Sequence, residues 1–155
     1  TVGNSQGCTP GYWKNHTEVW DDQTDPDIGD ERALRPDQPL RVAFSSNKNN
    51  AHPWANITDQ TILKYADVTM VQALQGGGGS GIDGAMRILM RATAAAYLNA
   101  GHDGIAYPYR RFQTGFNNLP SLASELQRVL QSGNRDQMLD LAAKLDRANN
   151  LGCPL

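Results

Sequence analysis

Two cysteines stand near opposite ends of this 155-residue chain, Cys8 close to the start and Cys153 close to the finish. If a bond joins them, almost everything lies in one closed loop, and the fold must bring the chain's end back to its beginning. In the loop-entropy model such a closure stabilises by roughly 5 kcal/mol. The plainer alternative is a pair of buried free thiols. The disulfide is the preferred reading, because both cysteines sit in Gly/Pro-flanked end segments with little else to hold them. A disulfide in turn implies an oxidising compartment, and hence export.

The totals narrow the choice of partners. Fourteen basic residues oppose 16 acidic ones, a net charge of −2, and the ten arginines are scattered rather than clustered. Nucleic acid is therefore not an expected partner. No run approaches the roughly 18 apolar residues that a membrane span needs. The chain begins at Thr1 with neither a methionine nor a hydrophobic leader, which fits a mature protein whose targeting segment has been removed. Residues 1–155 fit a single domain, long enough to bury about 70% of its unfolded surface.

Composition changes near residue 66. Before it lie all three tryptophans, five of the eight prolines, and seven acidic residues from Glu18 to Glu31. Beyond it the chain is rich in alanine and leucine at helical spacing. Thr9-Pro10 reads as an N-cap followed by proline at the first helical position. Tyr12, Trp13, His16, Val19 and Trp20 then fall on one helical face. "LRVAF" at 40–44 reads equally as a strand or a buried helical turn. Further on, Asp67 is expected to cap a helix carrying Val68, Val71 and Leu74, stopped by the Gly76–Gly79 run. The longest helix is expected from Ile82 to Asn99, with Ile82, Ala85, Ile88, Leu89, Ala92, Ala96 and Leu98 along its face and Gly101 as C-cap. Another starts at Pro120 or Ser121 and buries Leu122, Leu126, Val129 and Leu130 before Gly133. The last is capped by Asn134 and buries Met138, Leu141, Ala142 and Leu145. The expected fold is mainly α: an irregular N-terminal half with one short aromatic helix, packed on a four-helix C-terminal half, with the termini joined by the disulfide.

Several motifs invite a functional reading. Gly79, Gly81 and Gly84 spell G-x-G-x-x-G ahead of a helix, but a helix rather than a strand precedes them and no P-loop lysine follows. The glycines read as a connection, not a nucleotide site. The acidic loop Asp21–Glu31 is a candidate calcium site, although counting from Asp25 puts Gly29 and Pro36 where an EF-hand needs carboxylates. A solvated loop is the plainer reading. His16, His52 and His102 form no zinc pattern, and His16 reads as a packed histidine of the aromatic face. No Cys-His pattern survives if both cysteines are oxidised, so the chain is read as a non-enzyme. An enzyme built around His16 and the acidic loop would need a carboxylate pair in a pocket beside that histidine. Asn15-His16-Thr17 and Asn56-Ile57-Thr58 are glycosylation sequons, making Asn15 and Asn56 candidate acceptors. The aromatics Trp13, Trp20, Trp54, Tyr107 and Tyr109, with Arg110 and Arg111 of "YPYRRF", form a candidate interaction surface. Core packing is the stronger reading for the Trp13–Trp20 stripe.

The two ends together carry a resemblance. "GCTPGYWKNH", "VQALQGGGGSG", "AAAYLNAG", a "YP" turn and the closing "NNLGCPL" resemble an uncharacterised module of exported bacterial proteins, often found in surface or extracellular-matrix proteins. The resemblance covers nearly the whole chain, apart from the acidic stretch and "YRRFQTGFNN". It implies export and a Cys8–Cys153 bond, and it supplies no catalytic residues. The expected function is that of a secreted structural or cell-surface protein that self-associates as a homo-oligomer or polymer, with an extracellular filament as the specific form. A carbohydrate-binding module that takes glycans on exposed aromatics is the alternative, and it requires those rings to be solvent-exposed.

Overall fold

The computed structural model of the chain describes residues 6–19, 35–45, 53–55, 57–76, 79–101, 105, 107–110 and 120–153. Among these residues the chain forms seven α-helices and no strand: α1 (Pro10–Asn15), α2 (Leu40–Ala43), α3 (Gln60–Leu63), α4 (Met70–Gln75), α5 (Gly81–Gly101), α6 (Leu122–Ser132) and α7 (Arg135–Asn149). The fold is mainly helical, with short turns of helix in the N-terminal half and the longer helices after residue 69, as expected. No helix among the described residues is long and apolar enough to cross a membrane.

Local chemistry sets the helix ends. The Thr9 hydroxyl accepts from the Tyr12 N–H at 3.2 Å, and Pro10 opens α1. The Ser121 hydroxyl accepts from the Ser124 N–H, and Gly133 closes α6 in the left-handed region at φ +61°. The Asn134 side chain accepts from two first-turn N–H groups, those of Asp136 and Gln137. The predicted inward stripes of α6 and α7 are all buried.

The helix after Asp67 starts later than expected. Thr69 caps α4 through a reciprocal capping box with Gln72, so the buried residues are Met70, Ala73 and Leu74. Val68 and Val71 are only partly buried. "LRVAF" proves to be a helical turn: the Phe44 N–H reaches back to the Leu40 carbonyl, while the Leu40 N–H bonds to the Val68 carbonyl.

α5 departs furthest from a one-sided stripe. From Ala92 to Ala100 every residue is buried, because α7, α4, α1, α3 and α6 all pack on this helix. Its run "ATAAAYLNA" explains how: small side chains let several neighbours approach one axis. α5 is thus the central rod of the core, and the aromatics gather beside it. Phe44 stacks on Tyr97 at 4.2 Å between ring centroids and on Trp54 at 6.0 Å.

Candidate functional site

The chain ends meet against one end of α5. Cys8 and Cys153 form a disulfide with their Cα atoms 4.5 Å apart. Beside it Gly7 and Gly152 make a two-way antiparallel bridge, N–H to carbonyl at 3.0 and 3.3 Å. Gly7 is obligatory, since a Cβ there would lie 2.1 Å from the Ala148 carbonyl oxygen in α7.

Asn99 ties this clasp to the core. Its Oδ1 accepts from the Cys8 N–H at 2.7 Å and from the Trp13 indole N–H at 3.2 Å. Its Nδ2 donates to the Cys8 carbonyl at 2.8 Å and to Asn149 Oδ1 at 3.0 Å. Both lone-pair positions and both N–H donors of the amide are used, the full capacity of an asparagine side chain. Asn149 extends the network, accepting from the Tyr107 hydroxyl at 2.7 Å and donating to the Ala92 carbonyl in α5. Asn99 and Asn149 are fully buried. Burial pushes the Tyr107 phenol well above its ordinary pKa, so it remains protonated and donating.

The candidate interaction residues require a correction. Trp13, Trp54, Tyr107 and Tyr109 are all buried, at 0, 2, 2 and 8% exposure. A buried ring offers no face to a sugar, so these four belong to the core. Trp13 is held by Asn99, and the Trp54 indole N–H donates to the Ile62 carbonyl at 3.1 Å. Arg110 is partly buried and reaches the Ala100 carbonyl at 3.5 Å. Trp20 and Arg111 lie outside the described residues, as do the acidic loop Asp21–Glu31, Asn56, His52 and His102.

His16 also differs from expectation. α1 ends at Asn15, and His16 serves as its C-cap with an exposed ring. One turn places it over Tyr12, at 4.4 Å between centroids, beside the inward-facing Trp13 rather than with it. Its Nδ1 lies 3.2 Å from Glu18, whose carboxyl is held below its ordinary pKa first by a backbone hydrogen bond and then by His16. Asn15, the first sequon's acceptor, is exposed.

A second polar cluster lies at the start of α5. Lys64 Nζ is 2.7 Å from Asp83, which also accepts from the Tyr65 hydroxyl at 3.0 Å. Lys64 holds the Asp83 carboxyl down, and Asp83 holds the Lys64 amine up, so the pair stays charged at neutral pH. Gly84 packs closely on Gly79: a Cβ on Gly84 would lie 2.0 Å from the Gly79 carbonyl oxygen. Among the described residues no three of His, Cys, Asp and Glu gather as a metal-binding group. No known protein family, curated protein or solved structure matches this chain.

Proposed function

We propose that this chain is a secreted bacterial structural domain of the cell surface, working by self-association as the subunit of an extracellular filament. The observation that carries this reading is where the ligand-capable chemistry sits. Trp13, Asn99, Tyr107 and Asn149 are sealed inside, holding the disulfide-linked ends against α5. Such a design favours endurance over turnover, and it leaves the outer surface for contact with other molecules. A disulfide that closes nearly the whole chain suits an oxidising exterior, where unfolded excursions meet proteases. Subunits of this kind build fibres when a head-to-tail contact does not close on itself.

Static light scattering of the oxidised protein across a concentration series tests the reading. The weight-average mass is expected to rise well beyond that of one chain. A mass that stays at 16.9 kDa at every concentration would overturn it.

A further inference from the structure

An open groove of about 220 Å³ runs between α5 and α7, floored by Ala92 and Ala142 and rimmed by Ile88 and Leu139. For scale, an apolar cavity of about 150 Å³ holds a benzene ring. Ala92 and Ala142 are buried, while Ile88 and Leu139 are only partly covered by the rest of the chain. Two opposite charges line the same groove, Arg91 from α5 and Asp146 from α7. Both side chains are exposed, and among the described residues neither forms an ion pair. Elsewhere on α7 a neighbouring carboxylate is matched within the chain, Asp140 by Lys144 at 3.3 Å. The Arg91 stem lies against Gly76, where a Cβ would come within 2.3 Å of it.

From this arrangement we infer that the α5–α7 groove is a contact between two copies of this chain, related by a two-fold axis. The inference rests on the self-association proposed above and names its surface. A patch that carries an apolar rim and both members of an ion pair is its own complement. Rotated onto itself, it sets Ile88 and Leu139 of one copy against those of the other, and Arg91 of each copy faces Asp146 of its partner. Contacts of this kind are isologous and close at a dimer, so a filament requires a second, different contact on the dimer's outside.

Sedimentation velocity of the oxidised protein, run with R91E, with D146R and with an equimolar mixture of the two, tests it. Both substitutions lie on the exposed surface and leave the core untouched. Alone, each places like charges together across the axis and is expected to weaken the dimer about tenfold or more. In the mixture, Glu at 91 meets Arg at 146 across one half of the interface and the native pair reforms across the other. Association should therefore return in the mixture and in neither variant alone. A mixture no more associated than its components would overturn the inference, since the pair would then not lie between copies. If the unsubstituted protein and both variants associate equally well, the groove is wrong while self-association stands. If the unsubstituted protein stays monomeric, both fall.

Discussion

At the scale of single residues, Asn99 does the most to decide where the chain ends go. One amide holds the backbone of Cys8 on both its N–H and its carbonyl, the Trp13 indole and Asn149. Removing it leaves several buried polar groups unpaired, each costing about 1–3 kcal/mol. N99A is therefore expected to destabilise the oxidised protein by about 3–5 kcal/mol in denaturant melts. Tyr107 gives a pH-dependent counterpart. Burial raises its folded pKa, so its contribution is complete below the unfolded value of about 10 and is lost as pH rises through the folded value. Thermal melts should show stability falling above pH 10, and falling less steeply in Y107F. At neutral pH that variant should cost about 1 kcal/mol for the lost bond to Asn149. Neither asparagine was legible as a site. The one available signal is a lone polar residue inside the alanine-rich run "AAAYLNAG", and nothing local says what that amide will meet 91 positions away.

Between caps and glycines, the helices were largely legible. Ser121 with Gly133 and Asn134 with the Met138–Leu145 stripe mark α6 and α7 because both ends and the buried face depend on residues within one helix. α4 was displaced because Asp67 competes with Thr69 as a cap, and the Thr69–Gln72 box wins by satisfying two orphan groups at once. The face of α5 was only half legible, since a helix enclosed on all sides has no stripe to read. The aromatic cluster divides for a similar reason: α1 stops at Asn15, so Trp13 turns inward while Tyr12 and His16 stack at its flank. Two glycine substitutions separate backbone conformation from close approach. G133A places alanine in open space but at φ +61°, and should cost about 1 kcal/mol. G84A favours the helix by roughly 1 kcal/mol through propensity. Its Cβ would nevertheless lie 2.0 Å from the Gly79 carbonyl oxygen, so a net loss of about 2 kcal/mol is expected. A stabilised G84A in urea melts would contradict that packing.

Across the whole molecule, the disulfide and the core act on different states. The Gly7–Gly152 bridge and the Asn99 bonds hold the ends in the folded protein and need no sulfur. The disulfide chiefly restricts the unfolded chain, through a loop spanning a separation of 145 residues. The double variant C8S/C153S is accordingly expected to keep its helical circular dichroism at room temperature and to lose about 5 kcal/mol of unfolding free energy. The disulfide was the most legible feature of the whole, because both cysteines sit in Gly/Pro-flanked end segments of the sequence. The proposed assembly would draw on the outer surface. Negative-stain electron microscopy of the oxidised, untagged protein over a concentration series tests it most directly. Regular fibres of constant width are the expected result, and a field of uniform single subunits at the highest concentration would contradict it.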